Sequence, residues 1–265
     1  MSGMEEKSGE SPSRALLIYG SETGNAHRGL IKCSEYWRAH SDGSYVIADV
    51  LSGNEVLDSL EELAQKYDVL LIATSSFGEG DPPYNFVQFL IKLVRAKEEG
   101  VGASPLQGMQ HSVLGYGQSV YPTFQNTPRY VDKILGDLGS RRFAKRVELD
   151  EGQDESASGA EVEPESFGSG GGIRDGVAAR AHVGRDAGVG EWREAVCAAL
   201  KLARKSAMLP PVCAWHEPGD GNLLEKSVTE LVGVRPERIA DASQPYLMLA
   251  LLVALVAGAY FVYLS

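Results

Sequence analysis

The octapeptide Tyr19-Gly20-Ser21-Glu22-Thr23-Gly24-Asn25-Ala26 carries the densest chemistry in the chain. It follows the apolar run Ala15-Leu16-Leu17-Ile18, which reads as a buried strand, and precedes a helix-like stretch from His27 to His40. A strand that feeds a short hydroxyl- and glycine-rich turn opening a helix makes an anion site. Backbone N–H groups at the helix start and the positive end of its dipole point at the same place. Ser21 and Thr23 add hydroxyl donors, and Gly24 lets the backbone approach closely. The turn contains no lysine, so it is not the triphosphate loop with its Lys-Ser/Thr ending. Neutral donors suit a single terminal phosphate. An ordinary capped helix start is the plain alternative, because Ser and Thr are common caps.

Two further loops bear aromatic rings. One follows the apolar run Asp68–Thr74 and reads Ser75-Ser76-Phe77-Gly78-Glu79-Gly80-Asp81-Pro82-Pro83-Tyr84-Asn85. The other follows Gly115 and reads Tyr116-Gly117-Gln118-Ser119-Val120-Tyr121-Pro122-Thr123-Phe124. Exposed rings at Phe77 and Tyr121 suit a flat ligand that stacks on them, whereas rings that only pack on loop edges would carry no function.

The elements that must position these loops alternate along the chain. Strand-like runs at Ala15–Gly20, Tyr45–Val50, Asp68–Thr74, His111–Gly115 and Phe143–Leu149 interleave with helical patterns. The helical patterns lie at Gly24–His40, Glu55–Lys66, Pro83–Ala96, Thr127–Leu138 and Glu191–Lys205. Such alternation predicts an α/β fold, a doubly wound five-stranded parallel sheet with helices on both faces. Its ligand site lies beyond the carboxyl ends of the strands, at the switch in strand order. The three loops above are such ends.

Composition bounds the function. The 36 acidic against 25 basic residues give a net charge of −11, which excludes the basic footprint of a nucleic-acid binder and suits partners with basic docking faces. Cys33, Cys197 and Cys213 are three in number and far apart, which matches neither a disulfide framework nor a zinc site. Residues 1–13 form a polar leader without a signal-like apolar core. Residues 155–190, rich in Glu, Ser, Gly and Ala, read as a disordered insertion within a domain spanning 14–205. Residues 206–244 read as a flexible tether with a reach of roughly 35 Å, in which Leu223–Val234 has the pattern of a short amphipathic helix suited to a membrane surface. Tyr246–Leu264 is free of charge over 19 residues. A helix of that length spans roughly 28 Å, close to the ~30 Å bilayer core, so 245–265 is expected to be a transmembrane tail anchor with the bulk of the chain in the cytosol. Few basic residues flank it, which favours the endoplasmic reticulum over the outer mitochondrial membrane.

The three loops together resemble the flavodoxin-like FMN-binding domain of the diflavin reductase family, to which cytochrome P450 reductase belongs. The family's Ser-x-Thr-Gly-x-Ala turn matches Ser21–Ala26. Its aromatic-Gly-Glu-Gly-Asp-Pro loop matches Phe77–Pro82, and its Gly-x-Gly-Asn-x-x-Tyr-x-x-Phe loop matches Gly115–Phe124. Its acidic Gly-Asp-Asp motif resembles Gly152-Gln153-Asp154-Glu155, and its final Trp-Arg helix resembles Glu191–Leu200. The resemblance implies that Ser21, Glu22, Thr23, Gly24, Asn25 and Ala26 hold the FMN phosphate and that Phe77 and Tyr121 sandwich the isoalloxazine. It implies further cofactor contacts from Ser76, Gly78, Glu79, Gly80, Gly115, Tyr116, Gly117, Gln118 and Phe124, with Asp154 nearby on an acidic rim. This chain departs from the pattern at Asn25, where a hydroxyl is usual, at Gln118 for Asn, and at Gln153. Phe77 lacks a tyrosine hydroxyl that stacking does not need.

The implied function is that of an FMN electron carrier. A separate FAD/NADPH reductase would donate, and a membrane-associated heme or iron enzyme would accept. No dinucleotide Gly-x-Gly-x-x-Gly fingerprint opens a second strand-turn-helix unit. No catalytic acid, base or metal is expected. An NAD(P)H quinone reductase of the same fold and a flavin-free adaptor are the alternatives.

Overall fold

A computed structural model of the chain describes residues 11–100, 104–151, 185–203 and 223–233. Six strand segments and six helices occur in these stretches: β1 (Ser13–Tyr19), α1 (Asn25–Ala39), β2 (Tyr45–Ser52), α2 (Leu60–Lys66), β3 (Val69–Ser75), α3 (Val87–Glu98), β4 (Gln110–Gly117), α4 (Asn126–Asp137), β5 (Arg141–Arg142), β6 (Val147–Asp150), α5 (Arg185–Ala203) and α6 (Val228–Val232). The strands are parallel in the order β2-β1-β3-β4-β5, and β6 also pairs with β4.

The strand period of two sorts β1 between two cores. Leu16 and Ile18 face α3 and α4, while Ala15 and Leu17 face α1 and α5. β3 (VLLIATS) is buried along nearly its whole length, as expected of a central parallel strand covered on both sides. α5 seals the second core. Trp192 meets Trp37 edge-on at 5.4 Å, donates from Nε1 to Ser112 Oγ at 2.8 Å, and Trp37 Nε1 donates to the Arg193 carbonyl at 2.8 Å.

Four expectations need correction. The helix expected over Glu55–Lys66 is a 3-10 turn at Gly53–Glu55 followed by α2, which starts only at Leu60 behind a Ser59/Glu62 capping box. Between them Lys92 Nζ donates to the carbonyls of Val56 and Asp58, taking acceptors a continuous helix would need. The last strand, expected over Phe143–Leu149, is split into β5 and β6. Phe143 and Ala144 turn into the core, and Arg146 turns inward to the carboxylates of Asp132 and Glu148. The insertion expected over 155–190 ends earlier, since α5 begins at Arg185; 155–184 lies outside the described residues.

The fourth correction concerns the tether. Within it the helix expected over Leu223–Val234 forms as α6, Val228–Val232, but residues 223–233 dock on the domain. Leu231 is fully buried in the core shared by α3 and α4, and α6 is capped by a Ser227/Glu230 box. The expected anchor, 245–265, lies outside the described residues. Among the described residues no helix is long and apolar enough to cross a membrane.

Candidate functional site

The strand order places the switch at β1 and β3, and the crevice beyond their carboxyl ends is the expected binding position. Gly24 ends the first loop in the left-handed region, at φ +83°, and N-caps α1. No side chain caps that helix, so the orphan N–H groups of its first turn are open to solvent or a ligand. A Cβ on Gly24 would lie 2.8 Å from the guanidinium of Arg28, which closes over the turn. Asn25 bridges this turn to the end of β6: its Oδ1 accepts from Arg28 Nη2 at 2.5 Å and its Nδ2 donates to Glu151 Oε1 at 2.7 Å. A hydroxyl at this position is too short for both contacts, which gives the departure at Asn25 a structural reason.

The second loop folds on itself. Phe77 and Asp81 exchange both backbone hydrogen bonds, at 2.9 and 2.8 Å, and Gly78 and Gly80 take φ of +49° and +80° to turn the chain between them. The first and second loops are laced together: Asn85 Oδ1 accepts from Ser21 N at 2.9 Å and Glu22 Oε1 from Tyr84 N at 2.7 Å. The second and third are laced as well. Thr123 Oγ1 donates to the Gly78 carbonyl at 2.9 Å, Thr127 Oγ1 to that of Gly80 at 3.1 Å, and Thr127 N to Ser76 Oγ at 2.8 Å. All three loops therefore form one continuous rim.

On that rim Phe77 is 45% and Tyr121 59% exposed, and Val120 and Tyr84 are exposed as well. Core-forming side chains so exposed fit a flat partner. Glu79 is exposed and Gly80 buried. Gln118 accepts from Tyr121 N at 3.1 Å through its carbonyl, which closes the third loop. Glu22 and Ser76 use their side chains to tie loops, so their share in binding falls to the backbone.

Four expected contacts sit differently. Tyr116 is 2% exposed and lies under α1, where a Cβ on Gly29 would come 2.0 Å from its hydroxyl; it belongs to the core. Ala26 is likewise buried, in the first turn of α1. Gly115 lies within β4, and the space a Cβ there would fill is taken by the Gln125 amide at 1.8 Å. Phe124 packs on Gly117 and under the guanidinium of Arg129. Asp154 lies outside the described residues. The acidic group that the structure does bring to the turn before α1 is Glu151. Together with Arg28, Asn85, Thr123 and Thr127 it was not singled out from sequence. Polar types in loops already marked as strand ends were the available signal.

Elsewhere the titratable groups are structural. Ser140, His111 and Asp132 form a string, with 2.9 Å from Ser140 Oγ to His111 Nδ1 and 3.2 Å from Nε2 to Asp132 Oδ1. All three are buried and Asp132 is also bound by two arginines, so no substrate reaches a nucleophile there. Burial pushes the Cys33 thiol up to about 12, which leaves it inert. No group of potential metal ligands occurs among the described residues.

A doubly wound sheet in the order 2-1-3-4-5, with an uncapped, glycine-ended turn and open rings at its switch point, is an architecture that binds its ligand beyond the carboxyl ends of the strands. Residues 17–164, more than half of the chain, match the flavodoxin family model. The chain belongs to the flavodoxin family. It is 33% identical over 156 residues to the sulfite reductase [NADPH] flavoprotein alpha-component of Bacillus subtilis, covering 57% of this chain and 24% of that one. It is 35% identical over 136 residues to a bifunctional cytochrome P450/NADPH–P450 reductase of Bacillus cereus, covering 51% and 12%. To methionine synthase reductase of Caenorhabditis elegans it is 30% identical over 154 residues, covering 56% and 20%. The chain thus spans a quarter or less of these relatives' length. Among solved structures, oxidised flavodoxin 1 from Bacillus cereus matches with a TM-score of 0.41 at 18% identity, over 52% of this chain and 86% of that one. FMN is the cofactor of flavodoxin domains.

Proposed function

We propose that this chain binds FMN and carries electrons from an NAD(P)H-linked flavoreductase to a membrane-associated heme or iron acceptor. The observation that carries this reading is the uncapped, glycine-ended turn at the start of α1, set on one rim with the open rings of Phe77 and Tyr121. When bound, FMN supplies the electron-transfer chemistry. The protein's share is to hold and shield it. The first-turn N–H groups of α1, with Ser21 and Thr23, would take the phosphate. The rings of Phe77 and Tyr121 would cover the isoalloxazine, and the backbone of Gly78, Gly117 and Gln118 would meet its polar edge. The acidic balance of the chain suits a basic docking face on each partner. The uncharged stretch Tyr246–Leu264 would anchor the chain in a membrane, with the endoplasmic reticulum favoured, and leave the flavin domain facing the cytosol. Relatives whose names include NADPH support a reductase as donor.

The test is direct. The purified chain should be yellow, release FMN and no FAD on denaturation, and hold about one FMN per chain. With NADPH alone the flavin should stay oxidised, and an added FAD-containing NADPH reductase should bleach it. A colourless chain that takes up no added FMN would sink this reading.

A further inference from the structure

We propose that residues 223–233 are a clip that positions the Phe77–Asp81 loop, with Lys226 and Asn126 as its positioning residues. The clip is remote in sequence from everything it touches. Lys226 Nζ lies 2.5 Å from Asp81 Oδ1, and the lysine side chain is only 15% exposed. The Asn126 amide joins loop and clip in one group. Its Nδ2 donates to the carbonyls of Gly80 at 3.2 Å and Leu224 at 3.1 Å, and its Oδ1 accepts from Leu224 N at 2.8 Å. Tyr130 donates from its hydroxyl to the Lys226 carbonyl at 3.1 Å. Glu225 lies 2.7 Å from Lys97 on α3 and 3.3 Å from Lys133 on α4, and Glu98 accepts from Val228 N at 3.3 Å. The buried Leu231 supplies the apolar hold.

The loop needs such a holder. It turns on two left-handed glycines and one antiparallel bridge, and ordering each residue costs about 1–2 kcal/mol of conformational entropy. Lys226 also neutralises the carboxylate of Asp81, whose backbone closes the loop. Releasing the clip would loosen Phe77 and leave the Asp81 charge unpaired beside a ligand that gains electrons, which disfavours reduction by Coulomb repulsion. The positioning claim concerns contacts of the chain alone; its effect on the cofactor rests on the FMN reading.

The experiment is amide hydrogen exchange on the full chain without added flavin, followed by FMN titration and a redox titration. In Lys226→Glu, exchange at the Phe77 and Asp81 amides should quicken by about fivefold or more, and in Lys226→Gln by about two- to fivefold. The β3 amides should not change. The charge swap, Lys226→Glu with Asp81→Lys, should return loop exchange towards the parent rate. FMN affinity should fall several-fold in Lys226→Glu, and the flavin potential should move to more negative values, with recovery in the swap. Unchanged loop exchange in Lys226→Glu, or a swap that restores nothing, overturns the clip. Coupled exchange in a chain that takes up no FMN would leave the clip standing and remove the proposed function.

Discussion

Asp132→Asn tests whether the domain depends on the buried charge network behind the site. Asp132 is fully buried in α4. It accepts both arms of Arg142, at 2.8 and 2.7 Å, along with Arg146 and His111. Arg146 also reaches Glu148 at 2.9 Å, and Glu148 takes a bidentate pair from Arg129 at 2.8 and 2.6 Å. Removing one charge from a buried ion pair costs about 3–5 kcal/mol, because its partner stays behind uncompensated. The amide keeps the shape and Arg146 keeps Glu148, so the low end, about 3 kcal/mol, is expected. That lowers Tm by roughly 6–12 °C for a domain of this size. Burial alone would raise the Asp132 carboxyl, but the hydrogen bond from His111 and the charges of Arg146 and Arg142 outweigh it and hold the group well below the usual range. A depressed folded-state pKa contributes stability that is full above the unfolded value near 4 and is lost as pH falls towards the folded one. The parent and variant curves, measured by denaturant unfolding of the full chain, should therefore be about 3 kcal/mol apart at pH 7 and converge below pH 4. A difference under ~1 kcal/mol at pH 7, or one that does not shrink with acid, refutes the reasoning.

Three shorter predictions accompany it. Tyr121→Ala and Phe77→Ala should each weaken FMN binding by about 1–3 kcal/mol in fluorescence titration, by analogy with base–aromatic stacking, with little change in apoprotein stability because both rings are exposed. Gly115→Ala should destabilise by about 1–3 kcal/mol, since its Cβ would fall 1.8 Å from Gln125 Oε1 and 2.9 Å from Pro128 Cβ; thermal unfolding reads this out. Leu255→Arg should impair membrane insertion by roughly 2.5–3.5 kcal/mol in a microsome-insertion assay, with FMN content unchanged.

What was legible in the sequence was what is local. The Ser21–Ala26 turn, the buried run of β3 and the helical period of α1 each announce themselves within ten residues, so the sheet and its three loops followed. The misreadings have long-range causes. Whether Phe143–Leu149 runs as one strand is decided by Arg146, which the distant Asp132 and Glu148 draw inward. α2 starts late partly because Lys92, on another helix, holds carbonyls in the segment before it. The clip reads as tether because only Leu231 of its apolar residues is fully buried, with Leu223 and Val228 packed at the edge of the core and the remaining contacts polar. Its local signals are the amphipathic pattern of Leu223–Val234 and the Ser227-x-x-Glu230 box, a helix start that a free tether would not need. The rim residues Asn25 and Glu151 show the same limit, since the value of each lies in the other, 126 positions away.

α4 serves two duties through different side chains, with Asn126, Tyr130 and Lys133 on the clip and Asp132 on the arginines of the split strand, and they need not be coupled. Its first turn presents Asn126 and Thr127 to the Gly80 carbonyl and to the clip. Asp132, six residues on, holds the arginines of the split strand. That separation is about 9 Å along a helix axis. Asp132 and Lys226 have no side-chain partner in common among the hydrogen bonds of the described residues. Perturbations without shared partners usually add within about 0.5 kcal/mol when their sites lie more than ~7–10 Å apart. Asp132→Asn combined with Lys226→Glu should therefore show the sum of the two losses in unfolding free energy, and Asp132→Asn alone should leave loop exchange at Phe77 and Asp81 at the parent rate under native conditions. An interaction energy above ~1 kcal/mol would show instead that α4 transmits strain between the charge network and the cofactor rim.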